Sequence, residues 1–320
     1  MLRHYESLGL VRPTGRTGSG YREYSREDIR RIFHIESLRS LGLSLRDVGR
    51  ALDDPAFAPA ELVDDLIRRT RDRIAAETEL LTRLRRIDAA EPAGWEDVLQ
   101  TVALLQALGS TSAGARQRAA LSAVEDVAVP VEALVEAVLS EPEPNVAGAL
   151  RWALAQSGEE GPALLAEGLR SPAAEVRERA VQSLAEIPNR EATALLRDAL
   201  AHPDTVVRRY AALALGARGV ADAVPALIDV IVEGRNDTDA ADALSTLARD
   251  PALAERIATG LVGCLARGAV GTSARRRLTQ ALADIPGSTT SCALAELSHD
   301  EDRAVALTAT YIMKLRDARQ

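Results

Sequence analysis

A short segment recurs at a nearly constant interval, and this interval limits the possible folds more than any other feature of the sequence. One copy is VRERAVQSLAEI at 176–187, and the next is VRRYAALALG at 207–216. Two earlier copies are VAGALRWALA at 146–155 and ARQRAALSAV at 115–124, so the four begin 31, 30 and 31 residues apart. A constant interval of this length is typical of stacked structural repeats. Weaker copies begin at Ala240, Ala274 and Ala304.

A second helical pattern separates each copy from the next. Its apolar residues recur at the spacing of one helix face, as in Leu195, Leu196, Ala199 and Leu200. One pair of helices cannot bury such a face alone, so neighbouring pairs must stack. We predict a right-handed α-solenoid, with an irregular helical bundle as the alternative. The second helices are predicted at Val131–Leu139, Pro162–Leu169, Ala192–Leu200, Val224–Val232, Ala254–Leu265 and Ser291–Leu297.

Two-helix units of about thirty residues that lack ankyrin and tetratricopeptide signatures resemble HEAT-like repeats. The resemblance covers residues 96–316, and the predicted repeat domain is 95–320. This architecture serves many kinds of partner, so it predicts a binding surface for an effector whose identity stays open: a protein, a peptide or a small molecule. Trp95 and Trp152 are expected to be buried packing residues, with a role in lining an effector pocket as the alternative.

Net charge divides the chain unevenly. The whole chain carries −8, which argues against a nucleic-acid partner until the charge is assigned to segments. Residues 1–50 hold ten Arg against six acidic residues, for a net +4, whereas residues 51–90 carry −2 and residues 91–320 carry −10. A polyanion is therefore expected to meet only the amino-terminal head.

Several protein classes are not indicated by the sequence. No apolar run approaches the length of a membrane span, and the first residues do not resemble a signal peptide, so we expect a cytoplasmic protein with no membrane partner. The two cysteines, Cys264 and Cys292, predict neither a disulfide framework nor a metal site. No catalytic constellation or phosphate-binding loop is present, and we expect neither enzymatic activity nor a cofactor.

The head, residues 1–55, combines several short motifs. LRHYE at 2–6 is followed by Gly9, which suits a left-handed helix cap, and by Arg12-Pro13, which turns the chain. Two strand-like arms around a glycine-rich tip at 15–20 predict a β-hairpin. Ser25 then caps a helix that ends at Gly42, and Ser44 caps the next one.

This order of motifs resembles the winged-helix DNA-binding head of the MerR family of transcription regulators. The resemblance implies that Arg3 lies near base edges or phosphates at the end of a recognition helix and that Tyr5 contacts the DNA backbone. It implies a phosphate-gripping wing that carries Tyr21 and Arg22. Three further residues complete the predicted DNA-binding set: His4, Arg16 and Tyr24.

Two alternatives stay open for the head. Tyr5 and Tyr24 suit core packing in a small domain as well as DNA contact, and Arg22 suits a surface ion pair with Glu23 or Asp28. The family also has a helix and a turn before the recognition helix, which braces it in the major groove. The resemblance therefore implies either a start codon further upstream or a degenerate regulator, and we expect weak DNA binding by the chain as it stands, which nanomolar specific binding would overturn.

A long polar helix is predicted at 59–89. Seven of its residues step by alternating four and three positions, which is the spacing of a coiled-coil seam: Val63, Ile67, Thr70, Ile74, Glu77, Leu81 and Leu84. By resemblance, an antiparallel coiled coil at this place joins two copies; a single amphipathic helix packed on its own domain is the alternative. By resemblance, metal-sensing members carry cysteines near the end of this coil; no cysteine lies there, so a metal-sensing centre is not expected. The predicted dimerisation residues are Val63, Ile67, Ile74, Leu81 and Leu84.

Together these observations predict a mainly α-helical chain with a winged-helix head, a β-hairpin wing, a long dimerisation helix and a HEAT-like solenoid. The predicted function is a dimeric regulator that binds double-stranded promoter DNA. By resemblance, it acts on RNA polymerase indirectly, by distorting the spacer between promoter elements. The alternative is a HEAT-repeat interaction scaffold whose head binds DNA weakly or not at all.

Overall fold

The computed structural model describes residues 1–54, 58–90, 92–125, 130–266 and 271–318. The predicted end of the head at residue 55 and the last two residues of the predicted repeat domain lie outside these ranges. The chain divides into two compact units, Met1–Thr82 and Arg83–Gln320. The described residues are mainly α-helical, and their only sheet is one antiparallel pair of strands.

The first unit holds a small three-helix head, a hairpin and most of a long helix. The hairpin strands pair with Gly15 opposite Glu23 and Arg16 opposite Arg22. The head has its own apolar core of Tyr5, Leu10, Val11, Ile35, Leu43 and Val48. Its elements are α1 (Leu2–Ser7), β1 (Gly15–Arg16), β2 (Arg22–Glu23), α2 (Arg26–Ser40), α3 (Leu45–Asp53) and α4 (Pro59–Ala89).

Local signals in the sequence determine where these head helices begin and end. Gly9 has φ +72°, and the Gly9 and Leu10 amides donate to the carbonyls of Glu6 and Tyr5, both at 2.9 Å. This is a Schellman ending, and it confirms the predicted left-handed cap. Ser25 and Asp28 form a capping box at the start of α2. The sequence therefore sets both the end of α1 and the start of α2.

The second unit is a stack of helix pairs. Each even-numbered helix from α6 to α16 contacts the next even-numbered helix, as expected when equivalent helices of successive repeats lie side by side. This confirms the predicted helical solenoid. The helices are α5 (Trp95–Leu108), α6 (Ala113–Glu125), α7 (Val131–Ser140), α8 (Pro144–Gln156), α9 (Gly161–Leu169), α10 (Ala174–Glu186), α11 (Arg190–Ala199), α12 (Thr205–Ala217), α13 (Val224–Glu233), α14 (Asp237–Leu247), α15 (Pro251–Ala266), α16 (Thr272–Ala281), α17 (Ser288–Leu297) and α18 (Arg303–Asp317).

Arginine–carboxylate pairs connect successive repeats. Arg116 at the start of one copy contacts Glu141 in the loop before the next copy, with Nε 2.6 Å from Oε2. Arg177 makes the equivalent contact to Asp204 at 2.6 Å. Each carboxylate also accepts a backbone N–H near the start of the following helix, from Glu143 or Val206, at 2.9 Å. Each such pair therefore ties one repeat to the helix start of its neighbour.

The two tryptophans correct one prediction. Trp95 is 81% exposed and Trp152 is 43% exposed, so neither is a buried packing residue. Small residues of the stacked helices, such as Ala120 and Ala180, fill the interior instead, and they leave little room for an indole ring. No described helix is both long enough and apolar enough to cross a bilayer.

We predict that Glu141→Gln lowers the free energy of unfolding of the repeat array by about 3 kcal/mol, because it leaves Arg116 without its counter-charge in a largely buried site. Urea denaturation followed by circular dichroism measures this change. Glu186→Gln is the matched control, because its pair with Arg151 is partly exposed, and it should cost less than about 1 kcal/mol. Equal effects of the two variants would contradict the role assigned to the buried pair.

Candidate nucleic-acid interface

Four of the predicted DNA-binding residues have their side chains in solvent. Arg3 and His4 lie on α1, Arg16 lies on β1, and Tyr21 precedes β2. All four are exposed. Two guanidinium groups and a phenol on one helix and one hairpin are the donors that contact phosphate oxygens in protein–DNA complexes.

Tyr5 is buried in the core of the head. Its hydroxyl donates to Glu36 Oε1 at 2.7 Å and accepts from Arg39 Nη1 at 2.7 Å. Burial is the main cause that raises the pKa of Tyr5, and the hydrogen bond to Glu36 acts in the same direction. Tyr5 thus packs in the core, as the alternative reading of the sequence had it. A contact between Tyr5 and the DNA backbone stays a prediction.

Glu6 joins the hairpin to α1. The Tyr24 hydroxyl donates to Glu6 Oε1 at 2.6 Å, and Arg22 Nε lies 2.7 Å from Oε1 and 2.9 Å from Oε2. The hydrogen bond from Tyr24, aided by Arg22, lowers the pKa of Glu6. The ion-pair partner of Arg22 is therefore Glu6, and neither Glu23 nor Asp28, the partners considered from the sequence, makes that pair.

A second carboxylate fixes the base of the hairpin to α2. Asp28 Oδ2 accepts the Thr14 hydroxyl at 2.6 Å and the Ser25 backbone amide at 2.8 Å. These two hydrogen bonds are among the causes that lower the pKa of Asp28. Arg31 of α2 donates to the Leu10 carbonyl at 2.6 Å, which anchors the turn after α1.

Sequence reasoning missed Glu6, Glu36 and Asp28 as organising residues. Glu6 lies 16 and 18 positions from its two partners, so helix or strand spacing alone does not connect them. One signal was available, because Glu6 is the only acidic residue before Glu23 in an otherwise basic stretch. A lone carboxylate in a basic surface often serves as a counter-ion for neighbouring cations.

The predicted dimerisation residues lie on α4 as expected from their spacing. Their side chains are between 44% and 60% exposed. The 31-residue helix thus presents a row of large apolar side chains to solvent, and such a row normally marks an interaction surface. The five residues are Val63, Ile67, Ile74, Leu81 and Leu84.

Comparison with known proteins agrees with this geometry. Residues 1–54 match the family of MerR HTH regulatory proteins. The head is a MerR-type helix-turn-helix domain. Residues 161–248 match the HEAT repeat family, which covers α9 to α14 of the solenoid. The MerR-type head therefore precedes a HEAT repeat array in one chain. Among the described residues, no cluster of His, Cys, Asp or Glu has the arrangement of a metal site.

Two curated relatives are each similar to about a quarter of this chain. Nodulation protein NolA of Bradyrhizobium sp. strain NC92 is 39% identical over 84 residues, which is 26% of this chain and 33% of NolA. The HTH-type transcriptional regulator SkgA of Caulobacter vibrioides is 39% identical over 83 residues, 26% of this chain and 31% of SkgA. The chain spans only about a third of the length of these relatives.

One solved structure of an engineered protein covers 66% of this chain and 94% of its own, with 22% identity and a TM-score of 0.36. A TM-score of 0.36 is too low to indicate a shared fold or function. The solenoid described above rests on the contacts between its own helices.

We predict that Glu6→Gln lowers the melting temperature of the head at pH 7, because an amide cannot form the ion pair with Arg22. The pKa of Glu6 is lowered in the folded head, so its stabilising contribution is present above the ordinary value of 4.5 and is lost as pH falls through the lowered pKa. The difference in melting temperature between wild type and variant should therefore be largest at neutral pH and should disappear at acid pH.

Calorimetry or tyrosine fluorescence between pH 3 and 7 would measure this gap, over a range chosen from the ordinary Glu pKa. Glu23→Gln is the matched control, because it removes one carboxylate from the hairpin that Glu6 holds, at an exposed position. A gap for Glu6→Gln that stays constant across this range would contradict the carboxylate's role.

Proposed function

We propose that this chain is a transcription regulator whose MerR-type head binds duplex DNA. The observation that carries the proposal is the juxtaposition of exposed Arg3 and His4 on α1 with exposed Arg16 and Tyr21 on a hairpin held to α1 through Glu6. In this proposal α1 approaches the base edges, and the hairpin grips the phosphates beside them.

Arg22 and Tyr24 act in this proposal by holding the hairpin at a fixed distance from α1. Both side chains are half-buried and hydrogen-bonded to Glu6. The Arg22 side chain keeps 30% of its surface exposed to solvent. Tyr5 contributes from the core, where its hydroxyl bridges Glu36 and Arg39. The wing is thus already in position before DNA arrives, which lowers the entropy cost of binding.

The charge distribution supports binding through the head alone. Phosphate neutralisation by Arg releases counter-ions and supplies most of the affinity for DNA. Residues 1–50 carry a net +4, whereas residues 91–320 carry −10 and repel a polyanion.

We propose that α4 joins two copies of the chain. Its row of half-exposed apolar side chains extends along a helix of 31 residues, and an antiparallel second copy would remove that row from water. Two heads on one duplex would double the number of phosphate contacts and suit a site with two-fold symmetry.

The remaining parts of the proposal concern regulation. The dimer would act on promoter DNA by changing its shape, and would affect RNA polymerase indirectly through the spacing of promoter elements. The HEAT repeat array would bind an effector that biases this change, because stacked repeats present extended binding surfaces.

Arg3→Ala and Arg16→Ala should each weaken binding to a duplex from the region upstream of the chain's own gene. Each change removes about one phosphate contact, so the slope of log K against log salt should fall by about 1 per substitution. Fluorescence anisotropy at several salt concentrations measures this slope.

Arg190→Ala is the matched control for these two changes, because Arg190 is an exposed arginine on α11 of the repeat array. It should leave the salt slope unchanged. If Arg190→Ala reduces the slope as much as Arg3→Ala, the head is not the DNA-binding surface.

The double change Ile67→Glu with Ile74→Glu should convert a dimer into a monomer. A dimer of this variant loses four isoleucines, and burying each from its half-exposed state stabilises the interface by about 0.75–1.5 kcal/mol, so the dimer should weaken roughly a hundredfold or more. Sedimentation equilibrium should give twice 34.2 kDa for wild type and 34.2 kDa for the variant. Ala76→Glu, at an exposed position outside those that flank a coiled-coil seam, is the control, and a monomeric wild type would refute the dimer.

A further inference from the structure

Arg209 on α12 is a buried arginine without a counter-ion. It is only 8% exposed, and its Nε atom has no hydrogen-bond acceptor among the described residues. No described carboxylate lies within 4.0 Å of its guanidinium, whose nearest recorded partner is the Tyr210 ring at 5.4 Å. A buried arginine normally has its donors satisfied, because leaving them unpaired costs free energy.

The arginines at neighbouring positions have partners of the expected kind. Arg208 donates to the His202 carbonyl at 2.7 Å and to the Pro203 carbonyl at 2.9 Å. Arg177, which is equivalent to Arg208 in the preceding copy, pairs with Asp204. Arg209 therefore differs from these arginines of the repeat array, which have hydrogen-bond or ion-pair partners.

Arg209 lines a cavity of about 210 Å³ between α12 and α13. This volume lies below the range of pockets for drug-sized ligands and suits a much smaller molecule. Asp229 and Glu233 line the same cavity from α13, one helical turn apart and exposed. Four apolar residues and three further polar ones complete the lining: Leu200, Pro225, Ala226 and Val230, with Thr205, Arg208 and Asp222.

We propose that this cavity binds a zwitterionic amino compound of the size of an amino acid or a dipeptide. The carboxylate of the ligand would accept hydrogen bonds from Arg209, because guanidinium and carboxylate match in geometry and charge. Its ammonium group would lie at Asp229 and Glu233, and its apolar side chain would cover Val230 and Pro225.

The helix ends support this orientation of the ligand. Arg209 lies just after the first turn of α12, where the helix dipole is positive, and Glu233 is the last residue of α13, where it is negative. Neither Asp229 nor Glu233 forms an ion pair with Arg209, so positive and negative charges lie on two separate walls of the cavity. A ligand that carries both charges satisfies both walls at once, whereas a simple anion would be repelled by α13.

This inference deepens the effector-binding part of the proposed function, but the binding event itself does not require DNA. Isothermal titration of the full chain in the absence of DNA therefore tests it separately. The probes are L-leucine and glycyl-leucine, with leucinamide, which lacks the carboxylate, and N-acetyl-leucine, which lacks the ammonium group.

At least one zwitterionic probe should bind, and leucinamide and N-acetyl-leucine should each bind at least tenfold more weakly, which is a loss of about 1.4 kcal/mol or more. Arg209→Gln should reduce binding of the zwitterion by a similar factor, because the guanidinium is its carboxylate partner. Arg190→Gln is the control, since Arg190 is an exposed arginine of α11 that does not line the cavity, and it should leave the affinity unchanged.

A second variant keeps the test informative if Arg209→Gln does not fold. Asp229→Asn with Glu233→Gln changes only exposed side chains, and it should remove the preference for L-leucine over N-acetyl-leucine. Absence of binding by both zwitterionic probes, or binding of leucinamide or N-acetyl-leucine as tight as that of L-leucine, would overturn the inference. Either result would have no bearing on the proposal that the head binds DNA. A head that fails to bind DNA, with ligand binding intact, would contradict the proposed function and not this inference.

Discussion

The arrangement of α1 and the hairpin in the head depends on the contacts of the Glu6 carboxylate with Arg22 and Tyr24. Glu6 lies on α1 and holds Arg22 and Tyr24, so the hairpin cannot move independently of the helix. The exposed donors Arg3 and Arg16 consequently keep a fixed relation to each other. Phosphate contacts determine the register of a protein on duplex DNA, and a rigid pair of elements can set that register only if their separation is constant.

Arginine performs three different tasks in this chain, because Lys314 is the only lysine. Arg116 and Arg177 pair with carboxylates of the next repeat and hold the stack together. Arg3 stays in solvent, where it is available to a phosphate. Arg209 is buried without a counter-ion beside a cavity, and it is available to a ligand carboxylate. Burial and the presence of a partner, rather than residue type, separate these tasks.

The repeat interval and the helix spacing were sufficient to predict the solenoid and the long helix, whose observed bounds are Pro59–Ala89. Local signals such as Gly9 also predicted helix ends, because caps depend on neighbouring residues. The partner of Arg22 and the exposure of Trp152 were not predictable in the same way, since both depend on which distant elements meet. Arg209 had no such signal, because Gln117, Gly148, Glu178 and Arg276 occupy its position in other copies and an arginine there is not unique.

We propose that the head, and not the repeat array, meets DNA. Hydrogen–deuterium exchange of the full chain, with and without a duplex from upstream of its own gene, measures which part is protected. We expect slower exchange on DNA addition in residues 1–24, which contain α1 and the hairpin, and no change in residues 95–266. Protection confined to the HEAT repeat array, with unchanged exchange in the head, would contradict it.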